Sequence, residues 1–109
     1  MNTVLTRESP ENRLRVADLY IDNVTKEVKR GNKGITLTPK EFELLFFLME
    51  NAGRVLPREL ILDKIWHYTP EMESRVVDVY IGYLRQKIDV GFRKKLIRSI
   101  RGFGYTIKK

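Results

Sequence analysis

The spacing of apolar residues changes along the chain from a period of two to a period of about 3.6 and back to two. In the first part it predicts three strands, at residues 14–21, 24–30 and 35–37. Turn signals at Asp22-Asn23 and at residues 31–34 separate them. Residues 1–12 are polar and are interpreted as a linker or disordered tail, which leaves residues 13–109 as one domain that begins with a small antiparallel sheet.

Three helices follow the predicted sheet. Thr38 and Glu41 have the spacing of a capping box and Pro39 suits a first helical position, so the first helix begins there and ends before Gly53. A second, shorter helix is expected from Pro57 to residue 66. The third runs over residues 74–89, and its predicted core face is Val77, Ile81, Leu84 and Ile88.

Residues 96–100 and 105–107 predict a closing β-hairpin around a glycine-containing turn at residues 101–104. Residues 67–72, between the second and third helices, show no periodicity and contain Pro70, so they are predicted to form an exposed loop. The order of elements indicates an α+β fold.

The net charge of +7 is concentrated in the last third of the chain. Residues 72–109 contain ten Lys and Arg against three acidic residues, whereas the first 71 residues sum to zero. This distribution favours a polyanionic partner, either nucleic acid or an acidic membrane surface. By itself it does not indicate sequence-specific binding.

Catalytic and metal-binding functions find little support in the sequence. There is no cysteine, His67 is the only histidine, and no Ser/His/Asp set, phosphate-binding glycine loop or paired-carboxylate motif is present. No cofactor or metal is expected, and the protein is not predicted to be an enzyme. No apolar run has the length of a signal peptide or a membrane span, so a cytoplasmic location is expected.

The side of the third helix opposite its core face combines charged, amide, aromatic and apolar groups, a mixture suited to the major groove of DNA. Cations there suit phosphates, while Val79 and Tyr83 suit base edges; an ordinary amphipathic surface helix would instead carry a uniform coat of Lys and Glu. The residues of this predicted face are Arg75, Asp78, Val79, Gly82, Tyr83, Arg85 and Gln86.

A glycine at position 82, in mid-helix, destabilises the helix by about 1 kcal/mol relative to alanine. Its presence would be explained equally well by close approach of the helix to DNA or by tight packing inside the domain. Arg101, at the glycine-flanked hairpin tip, is the candidate for entering the minor groove. Ser99 and Tyr105 place hydroxyls beside it. Alternatively, Tyr105 is partly buried in the core and Ser99 is an ordinary exposed strand residue. Trp66 either donates a hydrogen bond from its indole N–H to a DNA phosphate or is simply a core residue.

Five segments together resemble a known family: TPKEFELL (38–45), RVL (54–56), IW (65–66), VVDVYI (76–81) and RGFGY (101–105). In this order they are similar to the OmpR/PhoB-type effector domain of two-component response regulators, which act in phosphorelay signalling. The resemblance covers residues 14–107. It implies a winged helix-turn-helix with an amino-terminal antiparallel sheet, three helices and a carboxy-terminal hairpin as the wing.

The same resemblance implies roles for individual residues. Val79 and Tyr83 would face bases, and Arg101 would enter the minor groove. Phosphate contacts would fall on Trp66, Arg75, Tyr80, Arg85, Ser99 and Tyr105. A surface for RNA polymerase would fall on His67, Tyr68, Thr69, Pro70, Glu71 and Met72.

For the assembly, the family pattern implies double-stranded DNA as the partner, with head-to-tail pairs on promoter direct repeats and a monomer in solution. Three departures qualify it. Pro57 replaces a helix-capping serine, and Gly82-Tyr83 replaces arginines that some members carry, which leaves the operator sequence open. The receiver domain that usually precedes this domain is absent before Leu14, and the linker-like residues 1–12 favour an excised domain over a stand-alone one.

Two other functions are compatible with the residues. The basic face could dock an acidic protein, with incidental affinity for DNA. RNA binding through the hairpin is less favoured, because its aromatic residues do not alternate along the strands as stacking platforms.

Overall fold

The amino-terminal part of the chain forms a four-stranded antiparallel sheet, which confirms the predicted architecture. The computed structural model describes residues 12–67 and 73–109. Its first sheet contains, in spatial order, β1 (Arg13–Val16), β2 (Leu19–Asp22), β3 (Glu27–Arg30) and β4 (Lys33–Gly34). All but the last residue of the expected linker, residues 1–12, lie outside the described residues.

The predicted strand boundaries in this sheet need correction. The single strand expected at residues 14–21 is wrong, because the chain turns at Ala17, whose φ is 54°, and residues on either side pair with each other. The three-residue step from Val16 to Leu19 breaks the period of two and marks this turn in the sequence. The expected strand at 24–30 is too long, since Asp22 Oδ1 accepts hydrogen bonds from the backbone N–H groups of Val24 and Thr25 and holds a loop there.

The third predicted strand, at residues 35–37, is also wrong. The strand that pairs with β3 is β4, two residues long, and it includes Lys33 and Gly34 from the expected turn. Ile35 still donates its N–H to the Val28 carbonyl at 2.9 Å. After this bond the chain leaves the sheet for the start of the first helix, so the apolar residues here cover the core without lying in a strand.

Three helices follow, as predicted: α1 (Pro39–Glu50), α2 (Arg58–Trp66) and α3 (Arg75–Leu84), which continues as a π-helical turn over Arg85–Asp89. The capping box at α1 is confirmed, with the Thr38 hydroxyl accepting from Glu41 N and the Glu41 carboxylate accepting from Thr38 N. No side chain caps α2 at Pro57. Within residues 12–67 and 73–109, no helix is long and apolar enough to cross a membrane.

The core lies between α1, α3 and the two sheets. The predicted α3 stripe of Val77, Ile81, Leu84 and Ile88 is completely buried, with 0% exposure at each residue. It belongs to the same apolar cluster as Leu44, Leu45 and Leu48 of α1. Burying one face of α3 in this way fixes which of its other residues face outward.

The carboxy-terminal hairpin is formed by β5 (Ile97–Ile100) and β6 (Gly104–Ile107). Unexpectedly, β6 also pairs with the segment between α1 and α2: Leu56 N donates to the Tyr105 carbonyl at 2.7 Å, and Tyr105 N donates to the Leu56 carbonyl at 3.0 Å. Gly104 permits this approach, since a Cβ there would lie 2.0 Å from the Leu56 oxygen. The base of the hairpin is therefore fixed to the helical core.

A buried arginine joins the first sheet to the end of the third helix. The Arg30 side chain is 1% exposed and donates to Asp18 at 2.6 Å, to the Ile88 carbonyl at 2.5 Å and to the Lys94 carbonyl at 2.6 Å. It also reaches Asp89 at 3.3 Å. The carboxylate of Asp89 accepts in turn from the backbone N–H groups at the start of the hairpin, those of residues 96 and 97. Sheet, helix and hairpin are thus held by one polar network.

Candidate nucleic-acid interface

The outward side of α3 carries the residues expected from the sequence. Val79 and Tyr83 are 42% and 47% exposed, although both are large apolar or aromatic side chains. Arg75, Gly82 and Gln86 are also exposed, whereas Asp78, Tyr80 and Arg85 are half-buried. The predicted division of the helix into a core side and an outward side therefore holds in the structure.

Aromatic rings connect the end of α2 to the outward side of α3. Trp66 meets Tyr80 edge to face at 5.1 Å between ring centroids, and Tyr80 meets Tyr83 in the same way at 5.1 Å. Trp66 is half-buried and packs against the core. The chain of rings fixes the position of Tyr83 beside the exposed part of α3.

Asp78 joins three elements at this surface. Its Oδ2 accepts from Arg58 Nη2 at 2.8 Å, at the start of α2, and its Oδ1 accepts from the Tyr105 hydroxyl at 2.6 Å, on β6. Both carboxylate oxygens thus already have donors inside the domain. Asp78 therefore positions a cation and a strand of the hairpin, and Arg58 is a surface residue that was not predicted from the sequence.

Arg85 forms a second link between α3 and the hairpin. Its Nη2 donates to the Ser99 hydroxyl at 2.8 Å, and its guanidinium lies 5.8 Å from the centre of the Tyr105 ring. Only part of its hydrogen-bonding capacity is used, because a guanidinium carries five N–H donors. Arg85, Ser99 and Tyr105, predicted separately from two elements, are therefore brought together.

The tip of the hairpin projects beyond these contacts. A tight turn places Arg101 and Phe103 in solvent, closed by a hydrogen bond of 2.9 Å from Phe103 N to the Ile100 carbonyl. Between the tip and the start of α2 lies an open cleft of about 350 Å³, whose lining includes Arg58, Asp78 and Arg101. Cations from two elements therefore face one concave surface.

Gly82 has open space where a side chain would be. A Cβ built on it meets no heavy atom within 4 Å in the part of the chain that the structure describes. Tight packing inside the domain, one of the two explanations offered for this glycine, thus finds no support among these residues. A requirement outside the domain is the explanation that stays open.

The loop expected to contact RNA polymerase is mostly outside the described residues. Only His67 is described; it is exposed and ends α2 in a left-handed conformation with φ of 53°. Tyr68, Thr69, Pro70, Glu71 and Met72 lie in the undescribed range. The polymerase surface therefore stays a prediction.

Burial and the hydrogen bond to Asp78 raise the pKa of Tyr105 from 10.0 to about 12. We expect a tyrosinate absorbance titration to lose a component near pH 12 in Tyr105→Phe, and Asp78→Asn to lower that pKa. Because the folded pKa exceeds the unfolded one, this proton's contribution to stability is present below pH 10 and is lost as the pH rises towards 12. Loss of a component near pH 10 in Tyr105→Phe would contradict the Asp78 contact.

Sheet, three helices and hairpin together define a winged helix-turn-helix domain, with α3 as the recognition helix and the β5–β6 hairpin as the wing. Residues 31–107 match the family described as "Transcriptional regulatory protein, C terminal". The chain therefore belongs to this family, the OmpR/PhoB-type DNA-binding domains of response regulators, as the motifs predicted. This family is not a class of enzymes.

Individual relatives agree with this assignment. The chain is 43% identical over 98 residues to the transcriptional regulatory protein CusR of Escherichia coli, covering 90% of this chain and 43% of CusR. It resembles the response regulator DrrB, an OmpR/PhoB homologue of Thermotoga maritima, with a TM-score of 0.82 and 34% identity over 97% of this chain and 51% of DrrB.

A third similarity is to the RstA DNA-binding domain of Klebsiella pneumoniae, crystallised in complex with the RstA box. The TM-score is 0.79 and the identity is 29%, over 88% of this chain and 96% of that one. By contrast, this chain spans 37% to 50% of the length of curated relatives such as CusR. The similarity to these longer proteins therefore concerns one part of them.

Proposed function

We propose that this domain binds double-stranded DNA in a sequence-specific manner, with α3 in the major groove and the wing in the adjacent minor groove. The observation that carries the proposal is the pair of contacts that hold wing and helix together, Asp78 to Tyr105 and Arg85 to Ser99. They hold the two strands of the wing against α3, so that the exposed side of α3 and the Arg101 tip form one rigid surface. A rigid surface with two reading elements is what simultaneous binding of neighbouring grooves requires.

Within this surface the residues divide by chemistry. Val79 and Tyr83, exposed and only weakly polar, would contact base edges and thymine methyl groups. Phosphate contacts are assigned to Arg75 and Arg85 and to the hydrogen-bonding groups of Trp66, Tyr80 and Ser99. The phosphate contact expected of Tyr105 is not retained, because its single O–H already donates to Asp78. Gln86 lies at the far end of the same side and would contact bases or backbone. Asp78 acts from within, by positioning Arg58 and by holding the Tyr105 hydroxyl of the wing against α3.

The family also suggests the setting in which this domain acts. We infer that it is the effector part of a two-component response regulator, joined to a receiver domain and located in the cytoplasm with the chromosome. Pairs of domains would bind head to tail on promoter direct repeats, although the domain alone is a monomer. The segment at residues 67–72, between α2 and α3, would contact RNA polymerase.

Selection from a pool of randomised duplex DNA tests the proposal. We expect one family of sequences to be enriched, and the affinity for it to fall with salt at a slope near −5 in log–log form if about six phosphates are neutralised. Single-stranded RNA and acidic protein should compete poorly. Failure to enrich any sequence would overturn sequence-specific recognition and favour docking of an acidic protein. DNA binding that does not depend on salt would contradict the assigned phosphate contacts.

Replacing Arg101 with alanine should weaken binding to the selected duplex by on the order of 1 to 3 kcal/mol and reduce the salt slope by about one. The residue is exposed at the wing tip, so thermal unfolding should not change. Titrations at several salt concentrations measure both quantities. Unchanged affinity with an intact fold would remove the minor-groove role from the wing.

Replacing Gly82 with alanine should have opposite effects on folding and on binding. Because the site is open and lies in mid-helix, the free domain should gain about 1 kcal/mol of stability in chemical denaturation. If the helix backbone approaches DNA closely at this point, the added methyl group should weaken binding to the selected duplex. Equal affinity of both proteins would show that the glycine is not needed for DNA.

A further inference from the structure

The wing tip presents an aromatic ring to solvent. Phe103 is 72% exposed, the highest value among the large hydrophobic residues of the described chain that lie exposed. Its ring has no stacking or cation–π partner within residues 12–67 and 73–109. A large apolar side chain held in water in this way indicates a surface that becomes buried against a partner.

The backbone around this ring is already ordered. The turn is closed by the Phe103 N–H to Ile100 carbonyl bond, and Gly102 adopts a φ of +83° that its lack of a side chain permits. One residue later, Gly104 is packed directly on the Leu56 carbonyl. Because the base of the wing is anchored, the ring would lose little conformational freedom when it meets a partner.

The chemistry next to the ring restricts what that partner is. Arg101 lies on the same tip, and the cleft beside it is lined by Arg58, Ser99 and Tyr105 as well as by Phe103 itself. A partner that fits both features must present anionic groups and apolar surface within a few ångströms of each other. The minor groove of duplex DNA does so, because its walls are deoxyribose rings between phosphates.

We propose that Phe103 packs against the deoxyribose wall of the minor groove entered by Arg101, and that it supplies a part of the affinity that does not depend on salt. This inference rests on the proposed function. It divides the wing tip into a charged contact, which releases counterions, and an apolar contact, which releases none. The two contributions are therefore separable by titration with salt.

The test compares Phe103→Ala, Phe103→Leu and Arg101→Ala on the selected duplex carrying one binding site. Phe103→Ala should weaken binding about tenfold at every salt concentration, with the slope of the wild type. Phe103→Leu, which keeps an apolar side chain, should lose less than about threefold. Arg101→Ala, the matched charged variant, should lower both affinity and slope. Thermal unfolding of the Phe103 variants should equal that of the wild type, since the ring is exposed.

Three results would overturn the inference. Unchanged affinity of Phe103→Ala would show that the ring does not meet the DNA, and a changed salt slope would show that its effect is electrostatic. Weakening that appears only on a duplex with two adjacent sites would assign Phe103 to contact with a neighbouring copy of the domain. Failure of the proposed function is distinct from all three, because the wild type would then show no preference for the selected duplex.

Discussion

Replacing Arg30 with alanine is expected to lower the free energy of unfolding by about 3 to 5 kcal/mol. The guanidinium is buried and bonds to Asp18, to two backbone carbonyls and to Asp89. Its removal leaves the Ile88 and Lys94 carbonyls without this donor and Asp89 without its cation, inside the protein. Chemical denaturation followed by circular dichroism measures the change.

Lys29→Ala provides the matched control on the same strand. Its side chain is 45% exposed and lies 3.7 Å from Glu27, so its removal should cost no more than about 0.5 kcal/mol. If Arg30→Ala cost as little as Lys29→Ala, the buried network would not be what joins the first sheet to α3 and the wing.

Replacing Gly104 with alanine is expected to cost about 3 kcal/mol or more and to abolish DNA binding. A Cβ at this position would lie 2.0 Å from the Leu56 carbonyl oxygen and 3.0 Å from Pro57 Cα, and the backbone φ of +146° disfavours any side chain. Both neighbours are backbone atoms and cannot rotate away. The pairing of Leu56 with Tyr105 must therefore break, and the wing would no longer be fixed relative to α3.

Gly102→Ala separates the effect of this clash from the effect of backbone conformation. Gly102 also has a positive φ, of +83°, but no heavy atom lies within 4 Å of a Cβ built there. It should cost only about 1 to 2 kcal/mol. Thermal unfolding and binding to the selected duplex measure both variants. Equal losses in the two proteins would show that the contact with Leu56 contributes nothing.

The helices and the core were predictable because their signals are local. The capping box at Thr38 and Glu41 lies within four residues, and the α3 stripe from Val77 to Ile88 follows the helical period directly. The outward side of α3 followed from the same stripe, since burying one side exposes the other. The family motifs added the wing and its place beside α3.

The features that the sequence did not reveal depend on distant residues. Arg30 is separated from the Ile88 carbonyl by 58 positions, and although the strand alternation places it on the same face of β3 as Val28, the local sequence does not reveal these partners. Arg58 is similar, because its partner Asp78 is 20 positions away. The pairing of Leu56 with the wing also escaped prediction, since two apolar residues between helices give no strand signal. Gly104, one of several glycines near turns, shows its role only through that pairing.

The strand errors have a different origin. The predicted sheet had the correct architecture, but short strands end where single side chains or turns interrupt them. Asp22 ends the regular pairing by binding the backbone of residues 24 and 25, and Ala17 reverses the chain inside an apparently continuous pattern. Such interruptions change the boundaries without changing which residues are buried.

Methylation interference on the selected duplex tests the central claim most directly, because it reports which groove each element occupies. With α3 in the major groove and the wing in the next minor groove, methylation of guanine N7 should block binding in the centre of the site. Methylation of adenine N3, in the minor groove, should block it in an adjacent segment, and Arg101→Ala should remove that second block only. Binding that is insensitive to methylation at both guanine N7 and adenine N3 would contradict the account.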